Sequence, residues 1–508
     1  MYTVRIHSQL EDRLDAEFYN PEALKTVQRI DGLGKTKRLG QLIADGYRVV
    51  YHGTDSINGI PEERLLPFLS PTQIDDQGSI DFSAADKLPL YYKDDYPKGL
   101  ALAGELLIEV KGNVSKVGVV PEEFPKHLMV SGSLYKASFK SDTNSRYVLA
   151  FLKSKHGQIL KNRLTSNTII NYIAKDALYS IPLFAANSEV QKYIGDKVRQ
   201  AERLRAWAKE CECKINAYLD SVFPKLIFGG HFQRVPLQVI GSRLDAEYYK
   251  EEQLGLEEFF SSGDVKVKTL SQLSKDSFSG AAIPSDAFGS VGVPVLQTKD
   301  INEKGIDLEG CVRVSEEIAK NFAKFSASYG SIIMGMSGTV GRSSLLYKEG
   351  SDFIINQRVS AIKILDANLM GYVCFYLNHK FGKMQMTRRS VGGVQANISL
   401  GDILTVKVVI PKDEVLSDLN TKAVNVFTAI EESKKLTSAA KLLVEALIEG
   451  QLTEAELIAA EQAQQAGNDQ LDRRILNRLK SDGIDGQGPA LFADLDELYH
   501  LLTQAEGD

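Results

Sequence analysis

Few cysteines, no long apolar run and no cluster of metal-binding side chains occur in this sequence, and each absence removes a class of protein. Four cysteines in 508 residues (Cys211, Cys213, Cys311, Cys374) cannot make a disulfide framework, and Cys211-Glu-Cys213 lacks the second pair that a zinc site needs. No uncharged apolar run reaches the roughly 18 residues of a membrane span, and the opening MYTVRIHSQLEDRLDAEFY is polar where a secretory signal needs an apolar core. A cytoplasmic chain that does not meet a membrane is expected. Seven histidines stand apart without an i, i+4 pair, so no metal site and no cofactor is expected in this chain. No Asn-Pro-Pro-Tyr or Asp-Pro-Pro-Tyr run is present to hold a flipped adenine, and no Gly-rich loop leads from a strand into a helix. Gly34-Lys35-Thr36 imitates the end of a phosphate loop, but the first glycine would fall at Arg29 and no apolar strand precedes it. What is there is an ordinary folded composition, 43% hydrophobic and 25% charged, over a length that predicts about three compact units.

The net charge of −6 conceals an uneven distribution. Residues 104–175 carry 11 Lys/Arg against 5 Asp/Glu, net +6, and residues 319–412 carry 12 against 4, net +8. Residues 413–508 carry 8 against 19, net −11. Two basic blocks are the footprint expected of phosphate contact, although two solvated faces would give the same count.

The chain repeats itself once. Arg13-Leu14-Asp15-Ala16-Glu17-Phe18-Tyr19 returns as Arg243-Leu244-Asp245-Ala246-Glu247-Tyr248-Tyr249, six identities in seven at an offset of 230. Farther along, Leu69, Ile74 and Gly78 pair with Leu296, Ile301 and Gly305 at an offset of 227. GELLIEVKGNVSKVGVV from Gly104 aligns with GSIIMGMSGTVGRSSLL from Gly330, and NYIAKDAL from Asn171 with NISLGDIL from Asn397, both at 226. Preserved order makes this a tandem duplication. Each copy mixes short β-branched runs with helical stretches and ends in a long segment of helix formers. In the first such segment Ala201, Leu204, Ala208, Cys211, Ile215, Tyr218 and Val222 alternate at spacings of three and four, a coiled-coil seam. In the second, Leu419, Ala423, Val426, Ile430, Ala440, Val444 and Leu447 form a looser seam interrupted by Ser433 and Thr437. Antiparallel pairing of the two would bury both stripes and create a pseudo-twofold axis. The fold class expected is α+β: two tandem mixed domains (1–186 and 226–412) separated by two long antiparallel coiled-coil helices (187–225 and 413–452), with an acidic helical extension (453–508). Leu204, Ile215, Val426, Ile430 and Leu447 are the seam positions expected to bind partner subunits.

RLDAEFY and RLDAEYY opening the two halves, the PVLQTKDINEKG strand and turn, GSIIMGMSGTVG, VGGVQANISLGDILTV and the helix ending LLVEALIEGQL together resemble the specificity subunit of type I restriction-modification systems, over residues 1 to about 452. The resemblance implies a noncatalytic chain whose two domains each read one half of an asymmetric, bipartite duplex DNA target. It implies two methyltransferase subunits as partners, which bind S-adenosylmethionine and methylate adenine, and restriction or translocase subunits beyond them. Two other readings stay open, a standalone DNA-binding adaptor and a magnesium-dependent nuclease. The second rests on Glu109-Val110-Lys111 following Asp94 and Asp95, but the repeat places Gly335, Met336 and Ser337 at the counterpart positions.

DNA contact is expected from polar side chains on loops. In the first half these are Lys111, Asn113, Ser115 and Lys116, then Arg163, Thr165, Ser166, Asn167, Thr168 and Asn171. The second half offers Ser337, Thr339 and Arg342 on a Gly-rich loop, then Arg388, Arg389, Gln395 and Asn397, with His52, Thr54, Gln297, Lys299, Gln357 and Arg358 in support. Arginine suits guanine and Asn or Gln suits adenine, so the clusters are candidate base readers, while solvated loop polarity explains each residue taken singly. Beyond residue 452 the resemblance ends. Helices are expected over 454–465, 471–479 and 491–502, as a docking segment for another defence protein, as an acidic brake on a basic surface, or as a solvated appendage.

Overall fold

The computed structural model describes residues 13, 16–51, 55–166, 170–223, 234–241, 243–308, 310–348, 353–392 and 396–507. They form two compact units, residues 1–204 with 432–508 and residues 205–431, so each long helix contributes one half to each unit. No helix among the described residues is long and apolar enough to cross a membrane.

The duplication is visible strand by strand. In the first unit four antiparallel strands lie in the order Ile43–Tyr47, Leu134–Phe139, Leu106–Glu109 and Val117–Val119. The second unit repeats this as Ser274–Ser279, Val359–Ile364, Ser331–Gly335 and Ser343–Leu345. Both edge strands carry a register shift, at Ile43/Asp45 and at Ser274/Asp276. The strands Leu106–Glu109 and Ser331–Gly335 are buried at every residue, which is why their sequences read as continuous runs rather than alternating ones. Leu69 and Ile74, with Leu107, Leu128 and Val130, form the core beneath the first sheet, and Leu296, Ile301, Ile333, Phe353 and Ile355 form the second. The aligned pairs Leu69/Leu296 and Ile74/Ile301 are therefore core residues.

Two helices cover each sheet. Ser145–Lys153 is capped by Asn144 and Ala367–Asn378 by Asp366, each cap side chain accepting from backbone N–H groups of the first turn. A buried tyrosine in each, Tyr147 and Tyr372, donates its hydroxyl to a strand carbonyl, Phe184 O at 2.7 Å and Val409 O at 2.8 Å. The following helices, Lys155–Arg163 and Lys380–Arg389, press against the C-terminal ends of the first pair. Only glycine fits there: a Cβ on Gly157 would lie 2.1 Å from Phe151 O, and one on Gly382 would lie 2.3 Å from Tyr376 O.

The RLDAEYY repeat locks the ends of these helices. Arg13 donates to Leu164 O at 2.9 Å and Thr165 O at 2.7 Å, while Arg243 donates to Arg389 O and Ser390 O, both at 3.1 Å. Those carbonyls lie at and just past the C-terminal ends of the helices, where no further helical turn supplies a donor. Tyr19 and Tyr249 donate back to Arg13 O and Arg243 O, each at 2.7 Å, closing the motif on itself.

The long helices run Ser188–Val222 and Asp413–Ile448. The buried stripe of the first follows the expected seam through Ile215 and then moves to Leu219 and Phe223, leaving Tyr218 and Val222 half-buried. Spacings of four at this end follow the 3.6-residue period of a straight helix rather than a 3.5-residue supercoil. In the second helix Ser433 and Thr437 are fully buried, and the Thr437 hydroxyl is satisfied by Ser433 O at 3.1 Å, so polarity does not loosen the packing there. Leu204, Ile215, Val426 and Leu447 are buried by this chain itself and Ile430 is half-buried. The partner-binding role expected of Leu204, Ile215, Val426 and Leu447 is corrected accordingly, since seam residues that fill the chain's own interior present no surface to another protein.

Each globule also grips a helix end. In the first unit Lys155 bonds Glu449 at 2.6 Å and His156 meets the same carboxylate at 3.1 Å. In the second unit Lys380 bonds Asp220 at 2.6 Å and His379 meets it at 3.3 Å. The globule of one repeat thus holds the C-terminal end of the helix that follows the other repeat.

The acidic extension is a folded part of the first unit. Helices Glu454–Gln465, Gln470–Arg478 and Leu495–Gly507 are joined through a small hairpin, Leu479–Lys480 with Gly483–Ile484. The last helix starts four residues later than expected because Asp494 caps it, accepting from Asp496 N and Glu497 N. Lys197 and Asp472 form an ion pair at 2.7 Å, each 1% exposed, and Tyr193 and Tyr499 donate to the same carboxylate. Glu461 pairs with Lys192, Glu506 with Arg203 and Glu454 with Lys35. The last pair occupies the lysine of the imitation phosphate loop. Several of the tail's acids are thereby spent within the chain, against the expectation of a free acidic brake or a merely solvated appendage.

Candidate nucleic-acid interface

Each globule places a short loop beside a hairpin. In the first, residues 110–116 leave the central strand, and Lys111–Gly112 pairs with Asn171–Tyr172, while Ser166 bridges to Tyr172. In the second, Ser337 and Val391 both bridge to Asn397. The backbone frames match: Glu109 N to Lys116 O, Val110 N to Ser133 O and Ile173 N to Val110 O recur as Gly335 N to Arg342 O, Met336 N to Arg358 O and Ile398 N to Met336 O, all between 2.9 and 3.0 Å.

How the loops are held differs. In the first globule the Glu109 carboxylate, 4% exposed, accepts from the backbone N–H groups of Asn113 at 3.1 Å, Ser115 at 3.0 Å and Lys116 at 3.1 Å. The buried Lys161 amine donates to Val114 O at 2.9 Å and Ser115 O at 3.2 Å. Burial, reinforced by Lys153 and opposed by Glu109, pushes the Lys161 ammonium down to about 7. Val114 accepts a left-handed backbone, φ 59°, with its side chain fully buried. Glu109 is therefore a loop anchor with both oxygens engaged, which removes the observation that favoured a nuclease. In the second globule the loop closes on itself, Gly341 N to Gly335 O at 3.0 Å, with Met386 packed where a Cβ of Gly341 would stand.

The clamps leave a defined set of side chains outward. Lys111, Asn113 and Asn171 are exposed in the first globule, while the Lys116 ammonium is engaged by Asp76. In the second, Thr339 and Arg358 are exposed, Arg358 reaches Asn397 at 3.1 Å, and Arg342 is half-buried with no side-chain partner among the described residues. Ser337 is 4% exposed and contributes backbone. Ser166 spends its hydroxyl on Tyr172 O, and Thr165 on Asn162 O. Lys299 sits on a separate turn, bonded to Gly310 O and paired with Asp300. Asn167, Thr168, Gln395, His52 and Thr54 lie outside the described residues.

The arginines expected to read guanine are committed elsewhere. Arg163 donates to Phe18 O at 2.7 Å with its guanidinium 3.9 Å from the Phe18 ring centre. Arg388 repeats the contact on Tyr248 at 2.9 Å and 4.1 Å, and also bonds Glu257 at 2.7 Å. Arg389 bonds Thr405 and Gln385 O. Arg163 and Arg388 are halves of the RLDAEYY lock, a role hidden in sequence because the partner lies about 140 residues upstream. Sequence reading also missed Lys161, whose neighbours in a polar helix give no sign of burial, and Arg48, which donates to Gly132 O at 2.6 Å and to the Tyr172 hydroxyl.

Residues 262–445, which contain the second loop and hairpin, match the family described as Type I restriction modification DNA specificity domain. The match lies within the second repeat and the long helix that follows it. The first globule duplicates the matched one in sequence motifs and in strand order. No curated protein matches this chain. Among solved structures it is similar to the S subunit of a type I restriction-modification system from M. genitalium, at 13% identity and a TM-score of 0.41, covering 82% of this chain and 96% of that one. It is also similar to the HsdS subunit from Thermoanaerobacter tengcongensis, at 16% identity and a TM-score of 0.26, covering 84% of this chain and 94% of that one.

Proposed function

We propose that this chain is the noncatalytic DNA-recognition subunit of a type I or related methylation-linked defence complex, each globule reading one half of an asymmetric, bipartite target. The observation that carries the reading is one backbone frame, repeated, presenting different side chains: Lys111, Asn113 and Asn171 on one copy, Thr339, Arg342 and Arg358 on the other. A shared frame sets the approach to the duplex, and differing tips give two half-sequences rather than a palindrome. The two long helices serve as the spacer between half-sites, in the way that module separation sets half-site spacing elsewhere. Methyl transfer belongs to two partner methyltransferase subunits that carry S-adenosylmethionine, with restriction or translocase subunits joining them, in the cytoplasm. Asn167, Thr168, Gln395 and Lys299 extend the proposed contact set.

Base-resolution mapping of adenine methylation in the source cell, with the gene present and deleted, tests this. Loss of a split, non-palindromic methylated motif on deletion is expected; an unchanged methylome overturns the reading in favour of a standalone adaptor.

A further inference from the structure

All four Lys and Arg residues of the tail line one open groove on a segment that holds 12 Asp and Glu. Arg473, Arg474, Arg478 and Lys480 converge there with Gln470, Asn477 and one carboxylate, Asp485, while the tail from 453 to 508 has a net charge of −8 (4 against 12). The helix Gln470–Arg478 explains the segregation. Its residues 470, 473, 474, 477 and 478 share one face, and Asp472, Ile475 and Leu476 on the other face are buried. The Asp472 pair with Lys197 fixes which face looks outward. Arg473 is held by Asp469 and Asp496, both at 2.6 Å, and Arg478 by Asp485 at 2.7 Å and Glu456 at 3.5 Å. Those four carboxylates balance two of the cations and more, so the long-range field of the groove is weak. Arg474, Lys480 and the Asn477 amide are different: among the described residues they make no side-chain hydrogen bond or ion pair, and Arg474 and Asn477 are exposed.

The backbone around the groove has a form suited to a duplex. Helices Glu454–Gln465 and Gln470–Arg478 are joined by four residues, 466–469, with Gly467 left-handed at φ 78°. The connection has the length and the left-handed glycine of a helix-turn-helix turn, and the second helix carries the outward polar face. The hairpin that follows sets Lys480 beside it. Guanidinium and ammonium groups are donors only, so the occupant must bring a row of anionic acceptors.

We propose that this groove is a duplex DNA backbone contact outside the two globules, made by Arg474 and Lys480 to phosphates with Asn477 between them. It rests on the DNA-recognition reading, because a tail of this charge docks on a duplex only when the rest of the complex holds it there. The contact adds affinity without sequence preference.

The test compares the full chain, in complex with its co-purified subunits, against the Arg474→Ala, Lys480→Ala double variant, by titrating fluorescent duplexes with and without the target across a salt series. Removing two phosphate contacts is expected to reduce the slope of log K against log salt by about 2, with equal weakening on both duplexes. Arg474→Lys with Lys480 intact is expected to restore most of the slope. Unaltered thermal unfolding of the double variant checks that the tail stays folded, and if it does not, Arg474→Glu alone must weaken binding further than Arg474→Ala alone. If the parent complex binds no duplex, the recognition reading falls together with this one. If the parent binds its target and the variant keeps both slope and affinity, only the groove proposal falls; loss of a co-purified protein in that case would assign the groove to an acidic protein segment instead.

Discussion

The two globules perform the same backbone task with opposite chemistry. In the first, a buried carboxylate and a buried amine grip a loop by its amides and carbonyls; in the second, the loop grips itself through glycine turns and rests on Met386, the residue that occupies the place of Lys161. A duplicated fold can thus diverge at the support beneath a loop as freely as at its tip. What it cannot change is the frame, because the strand hydrogen bonds that position the loop are backbone bonds indifferent to side chain.

The largest effect expected on that comparison comes from Glu109→Ala. Three backbone N–H groups lose a charged acceptor in a buried setting, which should cost the first unit about 3–5 kcal/mol, read by hydrogen exchange in strand Leu106–Glu109, while the second unit is unchanged. An unprotected strand in both units would show that the supports are not independent.

Lys161→Met imports the second globule's solution into the first and should cost about 2–3 kcal/mol, because two carbonyls lose their donor. It should also remove a pH dependence. The folded-state ammonium titrates at about 7, below its unfolded value near ~10.4, so between those limits the unfolded chain holds a proton that the folded chain does not. First-unit stability therefore rises with pH across that interval, and the penalty of burying the charged amine is fully present below it. Urea unfolding of the first unit at several pH values should show the rise in the parent and a flatter profile in Lys161→Met.

Gly341→Ala strains a left-handed position, φ 82°, and pushes a Cβ into Met386, for a loss of about 1–3 kcal/mol confined to the second unit. Pairing it with Met386→Ala should recover the steric part and leave the backbone part, which a double-mutant cycle separates.

The smallest effects belong to the exposed tips. Lys111→Ala and Arg358→Ala should leave stability within about 0.5 kcal/mol of the parent. Each should weaken DNA binding by about 1–3 kcal/mol, on one half-site only, as scored by binding to targets mutated in one half at a time. By contrast Arg163→Lys and Arg388→Lys should loosen the helix-end lock without altering which bases are preferred. A change of preference in either would return these arginines to the reading surface.

Much of this architecture was legible in the residues alone. Repeated core positions such as Leu69/Leu296 and Ile74/Ile301 marked the duplication, because burial constrains the same positions in each copy. Two long stretches of helix formers announced helices whose bounds lie within a few residues of those observed, since helical periodicity is a local property. Tertiary structure decided which charges are free. Arg163 and Arg388 were expected to be readers and are locks, while Asp472 is buried against Lys197 and Lys161 supports a loop, roles that no local pattern marks. A charged side chain carries the same sequence signal whether it faces water, a buried partner or DNA. Its partner is chosen by chain segments tens to hundreds of residues away, and only the packed fold brings them together.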